Sequence, residues 1–281
     1  MSPRRRPPEP PAPPNRPRKR FGQHFLTDPN ILGRIADAAL LDPADTVVEI
    51  GPGRGALTDA LRARAARVIA IEVDRDLAAR LRARYAGDAA VSVVEADVLE
   101  TSFTALGADG PGGFVLVGNV PYYITTPIIF QSLEKPRPKR AVFLVQREVA
   151  ERIVAPPGGK TYGSLSVNVR AFARAELLFG VRAGAFKPAP SVESAVVRLT
   201  PLDTALVSPD LEAAFRAFVL DVFGLRRKQM RRVLRTITGA PPDEVDALLE
   251  RVGVDPAARP ETLSVEQFAD LARAVRGAPP A

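Results

Sequence analysis

The sequence contains no cysteine, and histidine occurs only once, as His24. The absence of cysteine excludes disulfide bonds and thiolate chemistry. With a single histidine, neither a histidine-rich metal site nor a histidine proton relay is expected. Hydrophobic residues make up 46% of the 281 residues, yet no apolar run approaches transmembrane length and no signal-peptide core follows the basic N-terminus. These absences predict a soluble cytoplasmic protein that binds no metal.

Acidic residues are scarce near the N-terminus, where much of the net charge of +7 lies. The first 20 residues contain a single acid, Glu9, and seven basic residues. The basic residues are Arg4, Arg5, Arg6, Arg16, Arg18, Lys19 and Arg20. The isoelectric point of about 10.1 favours a polyanionic partner. Residues 1–18, rich in proline and arginine, are predicted to form a disordered tail that is either simply solvated or contacts RNA phosphates.

The chain is organised around residues 117–123, Val-Gly-Asn-Val-Pro-Tyr-Tyr. This segment follows an apolar run at 114–117 that predicts a buried parallel strand. It precedes Thr-Thr-Pro at 125–127, which predicts a helix with a threonine N-cap and proline as its first residue. The segment is therefore expected at the carboxyl end of a strand, where open α/β sheets bind ligands.

The residue types in this segment suit an exocyclic amine of a nucleobase. Pro121 holds Val120 extended, so the Asn119 side-chain carbonyl and the Val120 backbone carbonyl can accept from one NH₂ group. Tyr122 offers a face on which a base stacks. The alternative is a strand-to-helix turn with a structural asparagine and a core tyrosine.

A glycine turn follows the first predicted strand of the sheet, at 46–50, and leads into a helix predicted over 56–64. Strand, glycine turn and helix are typical of nucleotide binding. The spacing is G-x-G-x-G, not the G-x-G-x-x-G of a dinucleotide site, and no Walker lysine follows. A nucleoside ligand without phosphates, S-adenosylmethionine, fits better, with Gly51 and Gly53 admitting its methionine portion close to the backbone.

Two further strands, predicted over 67–71 and 91–95, end in carboxylates. Glu72 lies about 20 positions beyond Gly51, the offset at which an acid meets ribose hydroxyls. Asp97, followed by Val98, is expected to accept from the adenine amino group. Further strands are predicted over 141–145, 176–179 and 195–199.

The segment that contains His24 and Leu26 precedes a helix predicted over 29–41 with Asp28 as its N-cap. This segment is either plain packing or a flap over a ligand. In the proline-stiffened loop 184–190, Phe186 is either core or held out at the rim, and Lys187 could steer a phosphate.

From about Pro201 the pattern becomes helical, which predicts a small separate domain over 201–281. Four apolar residues follow the spacing of a buried helix face: Met230, Val233, Leu234 and Ile237. Four basic residues repeat that spacing on a neighbouring face: Lys228, Arg231, Arg232 and Arg235. No acid lies between 226 and 235, so this stripe is either a solvated face or a surface for a nucleic-acid backbone.

Taken together, the sequence resembles the ribosomal RNA adenine N6,N6-dimethyltransferase family, most closely its small-subunit 16S rRNA branch. The matching stretches are Phe21–Leu26, Glu49–Gly55, Glu72–Asp74, Glu95–Asp97, Asn119–Tyr123, Gln146–Ala150 and Gly184–Pro188. The resemblance implies an α/β fold: a Rossmann-like, seven-stranded, mainly parallel methyltransferase sheet with one reversed strand over residues 19–200, then an all-α RNA-binding domain. It also implies S-adenosylmethionine as donor and two adjacent adenosines near the 3′ end of 16S rRNA as acceptors.

The resemblance also implies roles for individual residues. Its donor site comprises His24, Leu26, Gly51, Glu72, Asp97 and Asn119. Asn119 and Val120 would orient the target amine, while Tyr122 and Phe186 would stack the adenine. Two positions depart from the family: His24 stands where asparagine is commoner, and Val120 where leucine or isoleucine is.

Two rival functions remain open from the sequence. One is dimethylation of a large-subunit rRNA adenine, which confers antibiotic resistance; the loop 184–190 and the basic helical region favour the small-subunit branch. The other is a non-catalytic RNA-binding assembly or transcription factor, against which the intact Glu72, Asp97 and Asn119 argue. Nothing in the sequence suggests more than a monomer.

Overall fold

The computed structural model of the protein describes residues 24–108 and 113–277. The predicted tail over residues 1–18 and the Phe21-Gly22-Gln23 part of the first matching stretch lie outside the described residues. Over the two described ranges, none of the helices is both long and apolar enough to cross a bilayer.

Strands and helices alternate through the first half of the described chain, and helices alone fill its last part. The strands are β1 (Phe25–Leu26), β2 (Thr46–Ile50), β3 (Arg67–Glu72), β4 (Val91–Glu95), β5 (Phe114–Asn119), β6 (Arg140–Gln146), β7 (Ala173–Val181), β8 (Phe186–Lys187) and β9 (Ser194–Pro201). The helices are α1 (Pro29–Ala38), α2 (Ala56–Arg62), α3 (Arg75–Arg84), α4 (Thr125–Ser132), α5 (Arg147–Val154), α6 (Ser164–Arg170), α7 (Glu212–Gly224), α8 (Met230–Thr238), α9 (Pro242–Val252) and α10 (Val265–Gly277).

Seven strands form one sheet in the order β4-β3-β2-β5-β6-β9-β7. The first five are parallel to one another, and β9 runs antiparallel to both β6 and β7. This confirms the expected mainly parallel seven-stranded sheet with one reversed strand. The central strands are rich in valine and isoleucine because helices cover both faces of the sheet. A separate two-stranded pairing joins β1 to β8.

The capping signals predicted the start of α1 correctly but not that of α4. Asp28 caps α1 as expected, its carboxylate accepting from the backbone N–H groups of Asn30 and Ile31. The predicted threonine cap of α4 is wrong, because a 3-10 turn at Tyr122–Ile124 runs directly into the helix. Thr125 is therefore already helical, and its hydroxyl donates to the Pro121 carbonyl at 3.2 Å.

Two hydrophobic clusters fill the two faces of the sheet. On β6, Phe143 belongs to one cluster, whereas its neighbours Val142 and Leu144 belong to the other. The first cluster continues into the C-terminal helices through residues such as Phe215 and Phe268. The buried helix face predicted in this part of the chain is confirmed for three residues, Met230, Val233 and Leu234, while Ile237 is only partly buried. The C-terminal helices thus share a core with the sheet.

Two buried carboxylates lie on neighbouring strands of the sheet. Glu49 is on β2, which leads into the glycine turn, and Glu72 is the last residue of β3. Burial raises the pKa of Glu49 to about 8, since desolvation outweighs the hydrogen bond that its Oε2 accepts from Thr58 Oγ1 at 2.6 Å. Burial also raises the pKa of Glu72, although its oxygens accept backbone hydrogen bonds. The other Glu49 oxygen, Oε1, has no partner in the described structure.

Replacing Glu49 by glutamine should remove part of the pH dependence of stability. Between about pH 4.5 and 8 the unfolded chain has lost this proton while the folded chain still holds it. Raising the pH through that window therefore lowers the free energy of unfolding. In urea unfolding, the wild-type protein should lose more stability than Glu49→Gln between pH 5 and 8, because the variant has no carboxyl group at position 49 to titrate. A stability difference that stays constant over this range would contradict the assignment.

Candidate active site

A cavity of about 410 Å³ opens at the carboxyl ends of strands β2 to β5. All but one of the residues predicted for the donor and acceptor sites line it: His24, Leu26, Gly51, Gly53, Glu72, Asp97, Val98, Asn119, Val120 and Tyr122. The exception is Phe186. The structure therefore brings together residues that are spread over about 100 positions of the chain.

The parallel register of three strands sets the floor of the cavity. Ile50 on β2 lies opposite Ile71 on β3 and Gly118 on β5, so the next residue along each strand emerges at the same level. Those residues are Gly51, Glu72 and Asn119. Gly51 has a φ of +65°, and its N–H donates to the Ile71 carbonyl at 3.0 Å, which turns the chain away from the sheet.

The Glu72 carboxylate ties the glycine turn to β3. Its Oε2 accepts from the Gly53 N–H at 3.1 Å and its Oε1 from the Asp74 N–H at 2.9 Å. Gly53 itself has a φ of +59°, and a Cβ there would stand only 3.0 Å from the Phe25 ring. Glycine at this position therefore lets the segment 24–27, the flap, pack over the turn.

Asp97 is exposed at the end of β4, and Val98 beside it is buried. Asp97 Oδ1 caps a short turn by accepting from the Leu99 N–H at 2.9 Å. Its second oxygen accepts no hydrogen bond from the described residues, so it is available to a ligand in the cavity.

The Asn119 side chain is fixed in orientation by the flap. Its Nδ2 donates to the His24 backbone carbonyl at 3.1 Å. Its Oδ1 accepts no hydrogen bond from residues 24–108 or 113–277. The Val120 N–H donates to the Leu144 carbonyl at 3.2 Å, and the Val120 carbonyl likewise has no partner in the described chain. Two neighbouring carbonyl oxygens thus remain available as acceptors.

Both the hydroxyl group and the ring of Tyr122 have partners in the structure. Its hydroxyl shares a 2.7 Å hydrogen bond with Ser194 Oγ, and burial raises the pKa of the phenol. Its ring stacks with the His24 ring, with centroids 6.0 Å apart and planes 25° apart. Sequence reasoning missed Ser194, a buried residue at the start of β9, because no local pattern distinguishes it.

Of the two alternatives left open for Phe186, the structure shows the core and not the rim. Its side chain is 3% exposed, packs in the cluster that contains Leu26 and Val181, and does not line the cavity. The physical reason is the pairing of β1 with β8, which sets Phe186 opposite Leu26. Side chains alternate along this short strand, so Phe186 points into the core and Lys187 is exposed.

Glu49 also lines the cavity and was not predicted as a site residue. The available signal was that it is the only charged residue in the strand Thr46–Ile50. A buried carboxylate oxygen without a partner is costly. Such an atom favours a ligand that carries a hydrogen-bond donor or a positive charge.

The C-terminal basic stripe is only partly as predicted. Lys228 precedes α8 instead of lying on it. Arg231 forms a two-pronged ion pair with Asp246 of α9, one contact being 2.6 Å from Nε to Oδ1, so the expectation of no acidic partner is wrong for this residue. Arg232 and Arg235 are exposed and form no ion pair with other described residues.

No group of three or more histidine, aspartate or glutamate side chains is arranged to hold a metal ion within the part of the chain that the structure describes. The cavity lining instead combines carboxylates, one arginine, glycine backbone, apolar side chains and four aromatic rings. This donor set suits an organic ligand that carries hydroxyl and amino groups.

Comparison with known proteins agrees with the geometry. The family model for ribosomal RNA adenine dimethylase matches residues 14–276. A ribosomal RNA small subunit methyltransferase A of Aromatoleum aromaticum is 43% identical over 255 residues, which cover 90% of this chain and 92% of the relative. A dimethyladenosine transferase from Plasmodium falciparum has a TM-score of 0.76 and 27% identity, covering 88% of this chain and 96% of its own.

The large-subunit enzymes are also represented among the similar structures. The 23S rRNA methyltransferase ErmE has a TM-score of 0.68 and 30% identity, covering 90% of this chain and 99% of its own. The expected fold, a Rossmann-like α/β methyltransferase sheet followed by helices, is thereby confirmed. The match to the family model covers nearly the whole described chain. The chain therefore belongs to the ribosomal RNA adenine dimethylase family.

Proposed function

We propose that the protein dimethylates the N6 amines of two adjacent adenosines near the 3′ end of 16S rRNA, using S-adenosylmethionine, during small-subunit biogenesis. The observation that carries this proposal is the Asn119 amide, whose nitrogen is bound by the flap while its oxygen remains open beside the Val120 carbonyl. Small-subunit methyltransferase A proteins are about as long as this chain and align with nearly all of it. We further propose that the protein acts as a cytoplasmic monomer.

The cavity fits S-adenosylmethionine in its chemistry. Glu72 would accept from the ribose hydroxyls, and Asp97 from the adenine amino group. Gly51 and Gly53 would admit the methionine portion, with His24, Leu26 and Val98 as further walls. Glu49, whose Oε1 has no partner in the described structure, would face a positively charged group. When bound, the donor supplies a methyl group on a cationic sulfur.

The acceptor side of the site has to prepare a weakly nucleophilic amine. The lone pair of an adenine N6 is delocalised into the ring, and two acceptors on its hydrogens favour a tetrahedral nitrogen. The Asn119 Oδ1 and the Val120 carbonyl would hold those hydrogens, while Tyr122 stacks the extruded base. Because the donor is already cationic, the proton can leave after transfer without a strong base. In the second round one N–H remains, so the pocket must also accept a methyl group.

The remaining expectations are proposed on the same basis. Residues 19–200 would form the methyltransferase domain, and residues 201–281 the RNA-binding helical domain. Four basic residues would contact RNA phosphates: Lys187, Lys228, Arg232 and Arg235. Arg231, which the sequence grouped with them, is paired with Asp246 instead. The similarity to ErmE makes a large-subunit adenine the chief competing acceptor, and the open Asn119 oxygen argues against a non-catalytic role.

The test of function is transfer of labelled methyl groups. The protein should methylate small-subunit particles that lack the modification, and mapping should place the label on two adjacent adenosines near the 3′ end of 16S rRNA. Label on an adenine of 23S rRNA would instead favour the competing large-subunit acceptor. No transfer to either RNA would contradict an enzymatic role.

Asn119→Ala should abolish methyl transfer while donor binding persists. The variant removes the side-chain carbonyl that orients the amine but leaves Glu72 and Asp97 intact. Losing one such preorganised group costs on the order of 10²–10³ in rate. Single-turnover rates and donor affinity by calorimetry would be compared with Asn30→Ala, an exposed asparagine outside the cavity. Near-normal turnover of Asn119→Ala would remove its proposed role.

Arg232→Ala should weaken binding to RNAs of different sequence by the same factor. It should also reduce the slope of the logarithm of the binding constant against the logarithm of the salt concentration by about one, because one phosphate contact is lost. Arg231→Ala is the matched control, because Asp246 already neutralises that guanidinium. Binding of a 3′-terminal fragment of 16S rRNA would be measured across a series of salt concentrations. An equal or larger effect of Arg231→Ala would contradict the assignment of the free arginine as a phosphate contact.

A further inference from the structure

A half-buried glutamine on α4 hydrogen-bonds the turn that carries Asp97. The Gln131 Nε2 donates to the Val98 carbonyl at 2.7 Å and to the Thr101 carbonyl at 3.3 Å. Both carbonyls can only accept, so the nitrogen of the amide and not its oxygen faces the turn. Gln131 does not itself line the cavity, whereas Asp97 and Val98 do. It therefore acts on the cavity only through the turn that it holds.

The turn over residues 97–101 also has hydrogen bonds of its own. The Thr101 hydroxyl donates to the Asp97 carbonyl at 2.6 Å, and the Thr101 N–H donates to the Val98 carbonyl at 3.2 Å. Asp97 Oδ1 accepts from the Leu99 N–H at 2.9 Å. These bonds set the shape of the turn, but each of them joins two residues of the turn itself. The two bonds from Gln131 instead fix the turn relative to α4.

The other end of the Gln131 amide makes it a poor stabilising group. Its Oε1 is buried and has no partner in the described structure. A buried polar atom without a hydrogen bond destabilises the folded state, which offsets much of what the two donated bonds contribute. The Val98 carbonyl, moreover, keeps the Thr101 N–H as a partner if the amide is removed. We therefore expect the amide to matter more for where the turn lies than for the stability of the fold.

We propose that Gln131 is a positioning residue of the donor site, which holds the 97–101 turn so that the free Asp97 oxygen meets the adenine amino group of S-adenosylmethionine. This inference rests on the proposed function and deepens it. Asp97 is exposed at the end of β4, so its carboxylate reads the amino group only if the turn keeps its place. Gln131 supplies that constraint from α4, the helix that follows the acceptor segment 119–124.

Three substitutions separate positioning from general support of the fold. Gln131→Met keeps an unbranched side chain of similar length but removes the donor and the unpartnered oxygen. Gln131→Lys keeps a donor that can reach the same carbonyls. Asn168→Leu is the matched control. Asn168 on α6 is buried and lies outside the cavity, its Nδ2 donates to the Ser164 carbonyl at 2.9 Å, and its Oδ1 is likewise without a partner in the described structure.

The measurement compares two ligands that differ only in the amino group. Calorimetry without RNA gives the Kd of S-adenosylhomocysteine, the donor without its methyl group, and of its analogue that lacks the 6-amino group of the purine. The wild-type protein should bind the first about tenfold or more tightly than the second, because a carboxylate accepts from the amino group. This ratio should fall to about threefold or less in Gln131→Met and be retained in Gln131→Lys and Asn168→Leu. At saturating donor, the single-turnover rate of methyl transfer by Gln131→Met should stay within about twofold of wild type, since the acceptor carbonyls are unchanged.

Other results would overturn the proposal. An unchanged ratio in Gln131→Met, including equal weakening of both ligands, would leave Gln131 with general support of the cavity only. The same loss of the ratio in Asn168→Leu would make the effect unspecific. If thermal unfolding shows that Gln131→Met does not fold, Gln131→Glu carries the same expectation, because an ionised carboxylate cannot donate to the turn. A wild-type protein that transfers methyl groups but binds both ligands equally would contradict this inference alone, whereas one that binds neither ligand would overturn the proposed function.

Discussion

The parallel register of β2 with β3 and β5 is the constraint on which the site depends. Since Ile50 lies level with Ile71 and Gly118, the turn, the buried acid and the asparagine that follow emerge side by side. A shift of one residue in either pairing would turn every side chain of that strand to the opposite face. Both faces carry a hydrophobic cluster, so such a shift would bury the wrong residues on each side. Core packing therefore fixes the relative height of the functional groups.

What the sequence could predict is what short-range patterns encode. The apolar runs, the glycine turn and the residues at strand ends lie within a few positions of one another, and the structure brings them to one cavity as expected. What it could not predict depends on distant partners. Phe186 is buried because β8 pairs with a strand about 160 positions earlier. Arg231 is neutralised by an ion pair with Asp246 on another helix. Ser194 forms a hydrogen bond with Tyr122 only because β9 pairs antiparallel with β6.

The cavity lining contains more acidic than basic side chains. The lining contains Glu49, Glu72 and Asp97, and burial keeps the pKa of the first two raised. A positively charged ligand relieves this arrangement, because it satisfies the unpaired oxygen of Glu49 and favours the ionised form of the acids. Arg54 also lines the cavity, while the exposed cations Lys187, Arg232 and Arg235 lie outside it.

The hydrogen bond from the Asn119 amide to the His24 carbonyl links the end of β5 to the flap. An amide has one end that donates and one that accepts, and rotation by 180° exchanges them. If the flap left, Nδ2 would lose the partner that fixes this choice, and the amide could present its own hydrogens to an incoming amine. Two N–H groups facing each other repel, so the accepting orientation requires the flap in place. The His24 carbonyl thus fixes the position of the flap and the orientation of the Asn119 amide through a single hydrogen bond.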